Sequence, residues 1–100
     1  MSPIIYHITT KQQWAVALQL GYYTAPSLQS EGFIHCCSYK QIAGVLERYY
    51  ASEINLLQLT IDTLQLNVPL KYESSPTLQD QFPHVYGTIS LNAIVNIFEI

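Results

Sequence analysis

Apolar and polar positions alternate over residues 3–9. Ile4, Tyr6 and Ile8 fall on one side of an extended chain, and Ile5, His7 and Thr9 on the other. The period then lengthens. Thr10-Lys11-Gln12-Gln13 has the form of a capping box, with Thr as N-cap and Gln at N3, and Trp14, Ala17 and Leu18 recur at helical spacing before Gly21 closes the helix. Residues 22–25 read as a short edge strand stopped by Pro26, and residues 27–31 as a polar connection or one helical turn. Residues 33–36 are a second strand, and Ser38-Tyr39-Lys40-Gln41 repeats the capping pattern. Ile42, Val45, Leu46 and Tyr49 then form the stripe of a second helix ending near Tyr50. Residues 56–61 have the pattern of a central strand, Asp62-Thr63-Leu64 of a tight turn, residues 70–73 of a strand, and residues 74–81 of a polar loop containing Pro76. Phe82-Pro83-His84-Val85-Tyr86-Gly87 is dense in residues with special chemistry. Residues 88–90 and 94–100 are closing strands.

Two main helices, each after a strand, followed mostly by strands, predict an α+β fold with a mixed or antiparallel sheet. The gaps between the later strands are too short for the helical crossovers of a doubly wound fold. With 100 residues and no linker, repeat or low-complexity tract, residues 1–100 read as a single domain.

Composition narrows the function. Hydrophobic residues make up 49% of the chain and charged residues 11%, against roughly a quarter charged in average soluble proteins. So weakly charged a surface points to a homodimer as a candidate assembly. The net charge is −3, and Lys11, Lys40, Arg48 and Lys71 are scattered, which argues against extended nucleic acid as a partner. No run reaches the roughly 18 apolar residues of a membrane span, and the start lacks a signal-peptide pattern. Cys36 and Cys37 are adjacent, a poor geometry for a disulfide, so both read as thiols in a reducing, cytoplasmic compartment.

The chemistry concentrates in three histidines, each in apolar or aromatic company: Ile5-Tyr6-His7-Ile8, Phe33-Ile34-His35-Cys36 and Phe82-Pro83-His84-Val85-Tyr86. Singly, each reads as a core residue with satisfied nitrogens. Three in one setting read as the lining of a shared cavity for a small molecule. Phe33, His35 and Cys37 share one strand face, Ile34 and Cys36 the other. Cys36 is either a nucleophile activated by a helix start or a small apolar filler. His35, a cysteine and His84 have the right ligand types for zinc but lack the short paired spacing of a zinc motif. Glu73 is either an orienting or acid–base carboxylate or an exposed strand end, and Gly87 reads as a backbone position closed to other residues. A catalytic site calls for a carboxylate or thiol within hydrogen-bond reach of His35 or His84. A binding module calls for histidines fixed by backbone groups alone.

Taken in order, Ile5-Tyr6-His7-Ile8-Thr9, Trp14, Gly32-Phe33-Ile34-His35-Cys36, Gln41, Leu59-x-Ile61-Asp62, Tyr72-Glu73 and Phe82-Pro83-His84-x-Tyr86-Gly87 resemble a family of small, mostly bacterial domains, domain of unknown function 952. The resemblance spans nearly the whole chain. Cys37 departs from the Ser that many members carry after His-Cys, leaving Ser38 as the substitute hydroxyl. The resemblance implies an ADP-ribosyltransferase-like fold, whose enzymes split the nicotinamide bond of NAD. By it, His7 holds the nicotinamide ribose and the strand end from His35 to Ser38 lines the nicotinamide subsite. The third, catalytic place falls to Glu73 or to the segment of His84 and Tyr86. The expectation is therefore a transferase or hydrolase acting on NAD or a nucleotide derivative. His35, Glu73 and His84 are its catalytic candidates, and His7, Thr9, Cys36, Ser38 and Tyr86 its substrate-binding candidates. The alternatives are a non-catalytic small-ligand or protein-binding module and a metal-dependent hydrolase.

Overall fold

The computed structural model describes residues 3–75 and 79–100. In chain order these form β1 (Ile4–Thr10), α1 (Lys11–Leu20), β2 (Tyr22–Tyr23), α2 (Pro26–Glu31), β3 (Ile34–His35), α3 (Ile42–Tyr49), β4 (Leu56–Asp62), β5 (Leu70–Ser74), β6 (Gln81–Val85), β7 (Ile89–Ser90) and β8 (Ile94–Glu99). Short 3₁₀ turns precede α3 and follow β4 and β7. The fold is α+β. In place of one sheet there are three small ones, β1-β4-β8, β2-β7 and β3-β6-β5, with antiparallel pairing throughout.

The alternation in β1 does what its period predicts. In the β1–β4 ladder, Ile5 pairs with Ile61, His7 with Leu59 and Thr9 with Leu57, so these residues share one face. That face carries the larger core, with Ile5, Tyr23, Ile34, Leu59, Ile61, Val85 and Ile89. The opposite face sends Ile8 and Leu56 into a second cluster with Cys37 and Ile42, and Tyr6, Val45, Leu46 and Tyr50 pack against it. Core on both faces makes β1 and β4 the spine of the molecule. β8 is an edge strand with Val95, Ile97 and Phe98 exposed.

The helices depart from the prediction in instructive ways. Thr10 caps α1 by accepting the Gln13 N–H at 3.0 Å. The Gln13 side chain turns to Thr9 instead of back to the cap, so half of the predicted box forms. Of the α1 stripe, Ala17 is buried and Trp14 half-buried, whereas Leu18 is exposed; Tyr49 on the predicted α3 stripe is exposed as well. The helical-turn reading of residues 27–31 holds, and the helix begins one residue earlier. Pro26 opens α2, as proline does at a first helical position, and Gly32 ends it with φ 91°. The second capping box forms, with Ser38 N–H donating to Gln41 Oε1 at 2.9 Å.

β6 is the strand that periodicity misses. It lies between β3 and β5 although it contains Pro83, which has no N–H to give a ladder. The position is tolerated because β3 pairs with only two of its residues, and the Pro83 carbonyl still accepts the Cys36 N–H at 3.0 Å. Beyond β6, a Cβ added to Gly87 would lie 2.5 Å from Val68 Cγ1, so the close approach of Val68 requires glycine. Pro76, predicted in a polar loop, lies outside the described residues.

Candidate functional site

The pairing of β3 with β6 sets His35 directly opposite His84. Residues opposite each other share a face, and so do residues two positions along. Phe33, His35, His84 and Tyr86 therefore meet on one wall. The Phe33 ring stacks on His84 with centroids 4.0 Å apart and planes 15° apart. His35 meets His84 edge-on at 5.3 Å, and Tyr86 tilts against Phe33 at 5.3 Å.

Two carboxylates hold this wall. Glu73, on β5 beside β6, accepts from His84 Nδ1–H at 2.7 Å and from the Tyr86 hydroxyl at 2.5 Å, both on Oε1. Those hydrogen bonds, Tyr86 first and His84 second, hold the Glu73 carboxyl below its usual range, while the same contact raises the Tyr86 hydroxyl. Glu31, at the end of α2, lies 3.0 Å from His35 Nε2, with both side chains about half exposed. Carboxylates thus lie within hydrogen-bond reach of both histidines, the arrangement expected of a catalytic site and not of histidines fixed by backbone groups alone; this proximity by itself assigns no reaction. His84 is 9% exposed. With Nδ1 committed to Glu73, its Nε2 has no partner among the described residues.

The wall faces an open groove of about 1030 Å³, which His7, Tyr23, Tyr50 and Phe82 also line. His7, His35 and His84 do border one hollow, but in different ways. His7 is buried, and both of its nitrogens are engaged. Nδ1 donates to the His35 carbonyl at 2.5 Å, and Nε2 lies 2.7 Å from the Tyr23 hydroxyl. The Tyr23 hydroxyl continues to Thr9 Oγ1 at 2.9 Å, and Thr9 Oγ1 to Gln13 Oε1 at 2.8 Å. His7 therefore has no free nitrogen for a ribose, and its position serves instead to fix β3 and Tyr23.

Proton counting along this chain is informative. When Tyr23 donates to Thr9 and Thr9 to the Gln13 carbonyl, Nε2 of His7 must supply a proton to Tyr23. Nδ1 supplies another to the His35 carbonyl, which makes His7 an imidazolium. Burial opposes that charge and lowers the His7 pKa to about 4, outweighing the stabilising bond to His35. Rotating the Gln13 amide by half a turn reverses every donor in the chain and satisfies a neutral ring. The orientation of Gln13 and the charge of His7 are thus linked.

The other sequence candidates separate in the structure. Thr9 is buried inside the His7 chain and does not line the groove. Ser38 is the N-cap of the 3₁₀ turn before α3 and also stays off the groove. Cys36 and Cys37 border it, but their thiols belong to the two core clusters. Burial pushes both upward, Cys37 to about 12. They are unpaired apolar fillers, not activated nucleophiles. The zinc alternative loses its ligand set, because no group of three or more His, Cys, Asp or Glu among the described residues is placed to hold a metal ion. Tyr23, Gln13 and Glu31 went unrecognised in the sequence. Tyr23 is one of eight tyrosines with nothing local to set it apart, and Glu31 reaches His35 only across the turn at Gly32.

The fold is that of a small α+β domain, and the wall borders its groove. The chain belongs to the family described as protein of unknown function, DUF952, whose model matches residues 8–97. Among solved structures it is similar to protein CC0527 from Caulobacter crescentus. The crystal structure of that protein is 24% identical with a TM-score of 0.85, covering 95% of this chain and 83% of that one. Its solution NMR structure is 23% identical with a TM-score of 0.83, covering 98% and 84%. At this identity the likeness establishes the fold. No curated protein matches the chain. Among the described residues, no helix is long and apolar enough to cross a membrane.

Proposed function

We propose that this domain is a small-ligand-binding module that holds an organic molecule in the groove against His84, Phe33 and Tyr86. The observation that carries the reading is His84, nine-tenths buried, fixed on one nitrogen by Glu73 and unpartnered on the other. That nitrogen opens on the groove, and pockets recognise their ligands through a few such polar groups set in apolar walls. The wall is also preorganised, since Phe33 stacks on the ring and strand pairing fixes both histidines. A fragment screen followed by NMR of the histidine and aromatic rings tests this. Fragments are expected to shift His84, Phe33 and Tyr86 together and to lose affinity in His84→Ala and His35→Ala. A screen whose hits all lie elsewhere rejects the reading.

Glu73 supports a second reading, an ADP-ribosyltransferase-like fold with turnover of NAD. Its carboxylate is held anionic and shares a wall with His35 and His84. Such a group suits stabilisation of the oxocarbenium-like state that forms as nicotinamide leaves. In this reading His35, Glu73 and His84 face the reacting bond, Tyr86 and Cys36 line the substrate, and His7 and Thr9 position the wall from behind. Incubation with NAD and chromatography for released nicotinamide decides it. Release that disappears in Glu73→Gln is the expected result of turnover, and absence of release by the wild-type domain leaves the binding reading alone.

A further inference from the structure

We infer that the groove selects a cationic ligand rich in N–H donors, an amine or amidine carried on a flat apolar body, and disfavours anions; this rests on the binding reading above and names its ligand class. The first observation is the sign of the lining. Glu31, Glu53 and Glu73 border the groove, and among the described residues that line it there is no lysine or arginine. Lys71 is the nearby cation; its Nζ lies over the Tyr86 ring, 4.8 Å from the centroid, and offsets part of the Glu73 charge from outside the lining. An anion entering this groove meets three carboxylates against that one flanking cation.

The second observation is independent of charge count. Both histidines direct one N–H at a carboxylate, which can only accept. His84 uses Nδ1 for Glu73 and His35 uses Nε2 for Glu31. Where the ring carries a single proton, that bond fixes it and leaves the other nitrogen as a lone pair. His84 Nε2 is the important one, because the ring is nine-tenths buried and lines the groove. Among the described residues Glu73 takes both of its hydrogen bonds on Oε1, which leaves Oε2 as a further acceptor. The wall thus offers acceptors that a donor-rich head group can satisfy together. Phe33 and Tyr86 add apolar ring surface for a flat ligand body, with His84 stacked on one ring and Lys71 over the other.

The test uses three probes with one ring and different charge: benzamidine, benzamide and benzoate. Each is titrated into the isotope-labelled full chain while the His84, Phe33 and Tyr86 ring signals are followed. Benzamidine is expected to bind at least tenfold more tightly than benzoate, with benzamide between them. Glu73→Gln keeps an acceptor oxygen for Tyr86 and His84 but removes the charge, and should reduce the benzamidine-to-benzoate ratio at least threefold. Glu31→Gln serves as a second variant if the first is misfolded by its amide spectrum. Equal binding of all three probes, or a ratio unmoved in the folded variants, overturns the charge preference while leaving the ligand site standing. Failure of all three to shift any groove signal overturns the preference and the site together.

Discussion

His7 and His84 come from similar sequence surroundings, and the fold uses them in opposite ways. Each sits on a strand among apolar and aromatic neighbours, and each borders the same groove. His7 is closed. Its nitrogens end on the His35 carbonyl and on a relay through Tyr23 and Thr9 to Gln13. His84 is half-open, anchored by Glu73 at Nδ1 and unpartnered at Nε2. The lesson is that lining a cavity does not make a residue part of its chemistry. What counts is how many of its polar atoms the protein has already consumed. One histidine sets the geometry and the other is free to read what enters.

The sharpest way to break this contrast is to truncate both rings. His7→Ala strands the His35 carbonyl and the Tyr23 hydroxyl in a buried space and leaves a cavity, so unfolding midpoints should show a loss of about 3–5 kcal/mol. His84→Ala should lose about 1–2 kcal/mol, mainly the stacking with Phe33, because Glu73 regains water. Equal losses would erase the distinction between the two sites.

Proton linkage is the next largest effect. His7 has a folded pKa lowered from 6.5 to about 4, so as pH falls through that window the unfolded chain takes up a proton that the native ring refuses. Stability is then full above about pH 6.5 and declines towards pH 4, by up to roughly 3 kcal/mol. Glu73 and Glu99, both held below their ordinary range, add their losses at lower pH, as each carboxylate is protonated. Denaturant titrations across this range should show the slope in the wild type and a flatter one in His7→Phe. Gln13→Glu sharpens the argument. An acceptor-only group at the end of the relay favours the imidazolium, and NMR should find His7 titrating about one unit or more higher.

Gly87 tests the support of the open site. Adding a methyl group pushes into the stiff side chain of Val68, and Gly87→Ala should cost about 1–3 kcal/mol in thermal unfolding. Val68→Ala in the same background should restore part of it. The smallest expected effect is Glu73→Gln, with a melting temperature close to that of the wild type, since the carboxylate is partly exposed and its bonds are screened by solvent. A large loss there would mean that Glu73 is a structural post and not an anchor for a free nitrogen.

Much of this was legible in the residues themselves. Alternation in residues 4–9 placed Ile5, His7 and Thr9 on one face and Tyr6 and Ile8 on the other, because side chains of an extended backbone must alternate. Thr10, Gly21 and the Ser38–Gln41 box marked helix ends because those groups satisfy orphan backbone atoms locally. β6 was hidden, since Pro83 argues against a strand until the short reach of β3 explains why it is tolerated. The roles of the histidines were hidden too. Whether an imidazole is closed or open depends on atoms far away in sequence, Tyr23 for His7 and Glu73 for His84. Local pattern marked Phe33, His35, His84 and Tyr86 as candidates, and the pairing of β3 with β6 set them on one wall. Only the packing of three sheets decided which of their nitrogens remain unspent, because a hydrogen bond between distant strands is a property of distance in space and leaves no period along the chain.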